Sequence, residues 1–113
     1  MTHLISREEL RQDIDADRVT VVDALPASYY VQQHLPGALN LTSDEVGNRA
    51  AELLPDRAAP IVTYCTNPAC GNSEAVATQL TALGYANVRR YRDGIEDWVG
   101  AGLPTENGTP VTA

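Results

Sequence analysis

Residues 61–74, IVTYCTNPACGNSE, constrain the fold more than any other part of the chain. An apolar, β-branched run at residues 61–64 leads into a loop that contains Pro68 and Gly71, and an amphipathic pattern follows. This succession is typical of a strand, a loop and a helix. Open α/β sheets bind their ligands where such a strand ends and the helix begins. The pattern therefore predicts a functional crevice at Cys65.

Strand and helix patterns alternate along the rest of the chain as well. Strands are predicted at residues 4–5, 19–22, 38–41, 61–64 and 87–91. Helical patterns or capping motifs lie between them, including a helical segment at residues 24–33. We expect an α/β fold in which a central, mostly parallel sheet of about five strands is flanked by helices on both faces. Residues 1–103 are predicted to form one domain, and residues 104–113 a flexible C-terminal tail.

Several residues are predicted to begin or end helices. Ser6 opens a capping box, and Asn72 or Ser73 is expected to cap the helix that follows the cysteine-containing loop. Leu83 is placed on the buried face of that helix, and Gly84 is expected to end it in a left-handed conformation.

The composition disfavours some classes of partner. The chain has 113 residues and a net charge of −7, and all eight of its basic residues are arginine. This balance makes nucleic acid and anionic membrane surfaces poor partners. The first twenty residues contain no apolar signal-peptide core, and no apolar run approaches the length of a membrane span. We expect a cytoplasmic protein that is a monomer or a weak homodimer.

Cys65 is the predicted nucleophile. A loop that enters a helix N-terminus presents unpaired backbone N–H groups and partial positive charge, which favour a thiolate. We therefore predict that the pKa of Cys65 is depressed. The alternative is a buried structural cysteine, but the position of Cys65 at the loop edge favours a function. The predicted substrate-binding loop consists of Thr66, Asn67, Pro68, Ala69, Cys70, Gly71, Asn72 and Ser73.

Several segments, in order over nearly the whole chain, resemble the pattern of the rhodanese-like domain family. They are residues 21–23 (VVD), 34–41 (HLPGALNL), 61–65 (IVTYC), 83–85 (LGY), 87–88 (NV), 93–95 (DGI), Trp98 and 101–104 (AGLP). The resemblance implies a sulfurtransferase fold in which Cys65 accepts a sulfane sulfur as a persulfide and passes it to a nucleophile. It implies a small sulfur donor and a thiophilic acceptor or acceptor protein as partners, and no cofactor.

The chain departs from the family pattern near the site. Residues 24–26 (ALP) stand where many members have an arginine, and the loop at residues 66–72 is longer than usual and uncharged. Charge-assisted hydrogen bonds are about twice as strong as neutral ones, so an anionic donor such as thiosulfate loses a partner here. Gly71 replaces the arginine that phosphatases of this family need, which disfavours phosphatase activity. Asp23 is predicted to hold the loop or helix ends near the crevice, and Arg92 is predicted either to substitute in part for the missing loop charge or to be a solvated arginine at the end of the strand.

Cys70 is predicted to act as a resolving thiol that forms a disulfide with Cys65. This chemistry requires the two Cα atoms to lie within about 7 Å of each other. The alternative is a small residue packed at the rear of the loop. A metal site made of Cys65, Cys70, His3 and His34 is disfavoured because the spacing does not match the usual zinc motifs.

Three functions remain open from the sequence. The first is a sulfurtransferase that works through Cys65, and it is the function that the pattern favours. The second is a binding or sensing module that keeps the fold without turnover, because the loop is uncharged. The third is a thiol redox switch that uses both Cys65 and Cys70.

Overall fold

Five short segments form one parallel sheet in the computed structural model, which describes residues 3–108. The strands are β1 (His3–Leu4), β2 (Thr20–Asp23), β3 (Leu39–Asn40), β4 (Ile61–Tyr64) and β5 (Val88–Tyr91). Their order across the sheet is β1-β5-β4-β2-β3, and every neighbouring pair is parallel. The strand that precedes Cys65 is therefore the middle one, and Cys65 lies at the centre of the carboxyl edge.

Helices cover both faces of this sheet. They are α1 (Arg7–Asp15), α2 (Ala27–Tyr30), α3 (Val46–Leu53), α4 (Asn72–Ala82) and α5 (Gly94–Gly100). On one face, called here the α4 face, Val46 of α3 and Val76 of α4 pack with Ile61 of β4. On the opposite face, Leu10 of α1 and Trp98 of α5 pack with neighbouring strand residues. The predicted α/β fold with a five-stranded parallel sheet is confirmed.

The alternation of side chains along β4 and β5 decides which residues reach the site. Ile61 and Val88 belong to the core on the α4 face, and successive strand residues point to opposite faces. The Thr63 hydroxyl donates to the Ser73 carbonyl oxygen at 3.0 Å, which keeps Thr63 on the α4 face. Thr63 is paired in register with Arg90. Arg90 of β5 therefore points to the same face as the helix that follows the Cys65 loop.

Two predicted helix ends are confirmed. Ser6 Oγ accepts a hydrogen bond from the Glu9 backbone N–H at 3.1 Å and caps α1. Gly84 has a φ of +97°, and the Tyr85 side chain behind it is buried. These are the left-handed stop and the apolar contact expected after a helix.

Three other local predictions are wrong. No side chain caps α4, which begins at Asn72 after the backbone of Gly71. Leu83 lies beyond the last turn of α4 and is 43% exposed, because the helix ends before the predicted apolar face is complete. The helix predicted at residues 24–33 is only the four-residue α2, because Pro26 precedes it and Val31 is already its C-cap.

The segment after Leu103 is held against the domain as far as the structure describes it. Glu106 and His34 exchange two backbone hydrogen bonds, at 2.8 and 2.9 Å. Trp98 Nε1 donates to the Pro104 carbonyl oxygen at 2.8 Å, and the Gly108 N–H donates to the Val31 carbonyl oxygen at 2.9 Å. Residues 104–108, the start of the predicted flexible tail, are therefore packed against the domain, and residues 109–113 lie outside the described residues.

None of the helices within residues 3–108 is long and apolar enough to cross a membrane.

Asp23 is a fully buried carboxylate at the end of β2. Its Oδ2 accepts a hydrogen bond from the Tyr64 hydroxyl at 2.6 Å, and its Oδ1 accepts one from the Leu25 N–H at 2.8 Å. Burial raises the pKa of Asp23 to about 6, although both hydrogen bonds favour the charged form. Asp23 thus fixes the chain as it leaves β2, on the face of the sheet opposite α4.

This carboxylate should make stability depend on pH. A raised pKa in the folded state means that Asp23 contributes most below its unfolded pKa, near 4, and that the contribution is lost as pH rises through about 6. Relative to Asp23→Asn, the wild-type free energy of unfolding should fall by up to about 3 kcal/mol between about pH 4 and pH 7. Urea unfolding of both proteins across that range measures the difference. Parallel pH profiles would show that Asp23 is ionised normally in the folded protein.

Candidate active site

Cys65 lies at the carboxyl end of β4, under the loop that leads into α4. Its side chain is 1% exposed, and its Sγ lies 3.3 Å from Ser73 Oγ and 3.3 Å from the Cys70 carbonyl oxygen. Ser73, in the first turn of α4, is fully buried as well. The thiol hydrogen therefore has an acceptor on the helix and another on the loop.

Asn67 shapes the loop into a turn. Its side-chain Oδ1 accepts a hydrogen bond from the Ala69 N–H at 3.0 Å, and its carbonyl oxygen accepts one from the Cys70 N–H at 3.0 Å. Such side-chain-to-backbone bonds are the usual way in which asparagine stabilises a turn. The turn brings the chain back on itself, so that Cys70 returns to the neighbourhood of Cys65.

The start of α5 holds the first residues of the loop. The Ile95 N–H donates to the Cys65 carbonyl oxygen at 2.9 Å, and the Glu96 N–H donates to the Thr66 carbonyl oxygen at 3.1 Å. Gly94 makes this contact possible, because a Cβ at that position would lie 2.4 Å from the Thr66 carbonyl oxygen. The free N–H groups of a helix N-terminus are thus used here to fix the loop backbone.

Arg90 is the positively charged residue that the structure places at the loop. Its Nε donates to Ser73 Oγ at 2.7 Å, and its Nη2 donates to the Cys70 carbonyl oxygen at 2.9 Å. Arg90 therefore joins the helix and the loop on either side of the Cys65 sulfur. Arg90 was not among the residues predicted from the sequence. The parallel pairing of residues 87–91 with the strand before Cys65 was the information that could have identified it.

Neither of the two predicted supporting residues is hydrogen-bonded to the Cys65 sulfur. Arg92 is exposed, and no ion pair or hydrogen bond joins its side chain to another residue between 3 and 108. Asp23 lies on the opposite face of the sheet, hydrogen-bonded to Tyr64 and Leu25. Among the predicted loop residues, the exposed ones are Pro68, Ala69, Gly71 and Asn72.

The pKa of Cys65 is shifted in the direction opposite to the prediction. Burial raises the pKa of the Cys65 thiol, and the neighbouring Cys70 side chain raises it further. Hydrogen bonds with the side chain and backbone of Ser73 act in the opposite direction without reversing the shift. The sequence argument considered only the helix terminus, whereas tertiary packing removes this sulfur from water.

The pKa of Cys70 is shifted in the opposite direction from that of Cys65. Burial acts to raise its pKa, but a hydrogen bond from the Cys65 thiol lowers it. Hydrogen bonds from the Thr66 and Asn72 backbone N–H groups and the charge of Arg90 add to this effect, so that the pKa of Cys70 is below its ordinary value. The backbone N–H groups that were predicted to stabilise a Cys65 thiolate thus stabilise Cys70.

Two clefts lie at opposite ends of the loop. One of about 510 Å³ includes Asn72 together with Asn40, Thr42 and Arg49. The other, of about 440 Å³, includes Thr66 and Ile95, and it is bordered by Leu25 and the exposed ring of Tyr29. Small molecules or an extended peptide can approach the loop from either side.

The two histidines do not join the two cysteines in one cluster. Within residues 3–108 no three histidine, cysteine, aspartate or glutamate side chains form a group that could hold a metal ion. His34 instead contacts the Tyr30 carbonyl oxygen through Nδ1 at 2.7 Å and stacks on the Tyr30 ring.

The middle strand of this parallel α/β sheet ends at a cysteine, and a loop and a helix follow that cysteine. A domain of this class places a sulfur atom at the carboxyl edge of its sheet. A family model described as a rhodanese-like domain matches residues 6–101. The chain belongs to the rhodanese-like domain family.

Individual relatives agree with this assignment. The crystal structure of the BH2092 protein from Bacillus halodurans superposes with a TM-score of 0.86 at 25% identity, covering 99% of this chain and 82% of that one. The HTH-type transcriptional regulator Rv0324 of Mycobacterium tuberculosis is 38% identical over 95% of this chain. The thiosulfate sulfurtransferase PspE of Escherichia coli is 30% identical over 67% of this chain and 70% of its own length. The chain spans 46% of the Mycobacterium tuberculosis regulator.

Proposed function

We propose that this domain is a sulfurtransferase that carries a sulfane sulfur as a persulfide on Cys65 and delivers it to a thiophilic acceptor. The observation that carries the proposal is the arrangement around the Cys65 sulfur. Ser73 Oγ lies 3.3 Å away, and Arg90 donates to that same hydroxyl oxygen at 2.7 Å. A hydroxyl polarised by a guanidinium is a suitable donor to a negatively charged sulfur.

Formation of the nucleophile involves both cysteines. Because the Cys65 thiol donates a hydrogen bond to Cys70, the first proton lost is a property of the pair. Cys65 becomes the thiolate when its own proton moves across that hydrogen bond to the Cys70 sulfur. The positive charge of Arg90, held at the Cys70 carbonyl oxygen, stabilises the single negative charge of the pair.

The loading step balances without a cofactor. With thiosulfate as donor, a bond forms between Cys65 Sγ and the sulfane sulfur, and the bond between the two sulfur atoms of thiosulfate breaks. The electron pair leaves with sulfite, and the enzyme holds a persulfide anion. No residue of the loop at 66–72 is charged, so the sulfonate end of thiosulfate meets no charged loop side chain, and low-molecular-weight persulfides, which have no sulfonate group, are the better candidates for the donor.

In the delivery step the Cys65 sulfur is the leaving group, whereas in the loading step it is the nucleophile. An acceptor thiolate attacks the outer sulfur, the bond between Cys65 Sγ and that sulfur breaks, and the Cys65 thiolate leaves. The clefts at the two ends of the loop, of about 510 and 440 Å³, are large enough for a small thiol or an acceptor segment. Similarity to the Escherichia coli thiosulfate sulfurtransferase PspE supports this chemistry.

A second candidate is a sensing module that is loaded with sulfur but does not turn over. The similarity to a transcriptional regulator more than twice as long as this chain favours it. The two candidates differ in rate. An enzyme passes many sulfur atoms per protein to an added thiol acceptor, whereas a sensor keeps one.

In a protein that lacks Cys70, sulfur loading is expected to require Cys65. The Cys70→Ser protein, reduced and then exposed to thiosulfate or separately to glutathione persulfide, should gain one sulfur atom by intact mass spectrometry. The Cys65→Ser/Cys70→Ser protein is the matched control, because it differs only at the proposed nucleophile, and it should gain none. Equal gain by the two proteins, or no gain by either with both donors, would contradict the proposal.

A further inference from the structure

Cys70 lies directly against the proposed persulfide site. The Asn67 turn returns the chain so that the Cys70 carbonyl oxygen is 3.3 Å from Cys65 Sγ. The two thiols also shift each other's pKa, upward at Cys65 and downward at Cys70. The arrangement therefore brings the two thiols of the described chain into one loop.

The surroundings of the Cys70 sulfur also favour its negatively charged thiolate form. The backbone N–H groups of Thr66 and Asn72 donate to it, and the guanidinium of Arg90 is held by the Cys70 carbonyl oxygen at 2.9 Å. Cys70 is half-buried, whereas Cys65 is almost completely buried. Of the two thiols, Cys70 is the one whose pKa lies below its ordinary value, so its surroundings favour the thiolate form.

We infer that Cys70 resolves the Cys65 persulfide, forming a Cys65–Cys70 disulfide and releasing hydrosulfide. This inference rests on the proposed loading of Cys65 and names the acceptor that acts when no external thiol does. The domain then reduces sulfane sulfur to sulfide, and one Cys65–Cys70 disulfide forms for each sulfur atom that is reduced.

The step balances in atoms and electrons. The Cys70 thiolate attacks Cys65 Sγ, a bond forms between these two sulfurs, and the bond from Cys65 Sγ to the outer sulfur breaks. The proton of the Cys70 thiol passes to the outer sulfur of the persulfide anion, and that sulfur takes the electron pair and leaves as hydrosulfide. The sulfane sulfur gains two electrons, and the two cysteine thiols lose two. A dithiol reductant, small or protein-borne, then restores both thiols by exchange.

The leaving groups favour attack on the inner sulfur. Attack on the outer sulfur would expel the Cys65 thiolate into a buried position, where burial raises the pKa of that thiol. Attack on the inner sulfur expels hydrosulfide, the conjugate base of an acid stronger than an ordinary thiol. Because the less basic sulfur leaves faster, disulfide formation is preferred over transfer of the sulfur to Cys70.

The experiment compares wild type, Cys70→Ser and Cys70→Ala, each reduced and given one equivalent of glutathione persulfide under argon. Without oxygen, the sulfane sulfur is the only oxidant. Trypsin cleaves after Arg57 and Arg89, so both cysteines lie in the peptide of residues 58–89. Hydrosulfide is measured in solution, and the peptide is analysed after alkylation without reduction.

Wild type should release one hydrosulfide per protein and yield a peptide that lacks two hydrogens and resists alkylation at both cysteines. Both Cys70 variants should retain the extra sulfur on Cys65 and release at least ten times less hydrosulfide. If wild type also retains the sulfur, on either cysteine, and forms no disulfide, the resolving role is overturned while sulfur loading by the variants still supports the transferase. If neither variant gains sulfur, the proposed loading fails, and the inference fails with it.

Discussion

The Gly94→Ala protein is expected to lose about 3 kcal/mol of its free energy of unfolding and to load sulfur more slowly. Gly94 has a φ of +76°, in the left-handed region, where a Cβ costs about 1–2 kcal/mol. That Cβ would also lie 2.4 Å from the Thr66 carbonyl oxygen and 2.7 Å from the Asn67 backbone nitrogen. Both of these are main-chain atoms, so relief requires movement of the loop, and overpacking of this kind costs about 1–3 kcal/mol.

Gly102→Ala separates the two contributions. Gly102 has the same φ of +76°, but a Cβ there would meet no heavy atom within 4 Å. This variant should lose only the conformational part, about 1–2 kcal/mol, and should load sulfur at the wild-type rate. Urea unfolding and the rate of sulfur gain measure both quantities. Equal losses of stability in the two variants would show that the loop yields freely to a side chain at Gly94.

The sequence was sufficient to predict the fold because its two central strands, β2 and β4, are buried on both faces. Residues 61–64 read as an uninterrupted apolar run, and all four are buried between the helices. Parallel sheets require such cover on both faces, so a continuous run is informative where alternation would not be. The position of Cys65 at the carboxyl edge followed from the same pattern.

The charged part of the site did not follow, because it depends on how strands pair. Arg92 was chosen for its proximity in sequence to the turn before α5, but it is exposed. Arg90 is two residues earlier, inside β5, and is paired in register with Thr63 of the middle strand. The face of the sheet to which a strand residue points can be assigned only when the neighbouring strand and the register are known. Local periodicity does not determine the strand order.

The ionisation of the two cysteines was wrongly predicted for a related reason. The helix-terminus argument treated Cys65 as the only sulfur in the loop and as accessible to water. In the structure the turn at Asn67 brings Cys70 into the same place, and its sulfur receives the Thr66 and Asn72 N–H groups. Desolvation then dominates at Cys65, because burial outweighs the hydrogen bonds that remain to it.

Arg90→Met is expected to slow sulfur loading by roughly 10-fold to 100-fold. The substitution keeps a similar apolar stem and removes the guanidinium that donates to Ser73 Oγ at 2.7 Å and to the Cys70 carbonyl oxygen at 2.9 Å. A hydrogen bond from a charged group is worth about 1.5–3 kcal/mol, and each factor of ten in rate corresponds to about 1.4 kcal/mol. Loading by the wild-type and variant proteins is followed with glutathione persulfide by rapid quench and mass spectrometry.

The pH profile and two further variants distinguish a positioning role from a loss of structure. Since Arg90 favours the negative charge of the cysteine pair, its removal should move the rise of the loading rate to higher pH. Arg90→Lys should restore part of the rate, because it returns the charge without the planar fork. Arg89→Met removes a neighbouring guanidinium that bonds Glu9 and Asp13 at 3.1 Å, so it should affect stability only and leave loading unchanged. If Arg89→Met slows loading as much as Arg90→Met, the effect belongs to the strand as a whole, and Arg90 has no particular part in the chemistry of the loop.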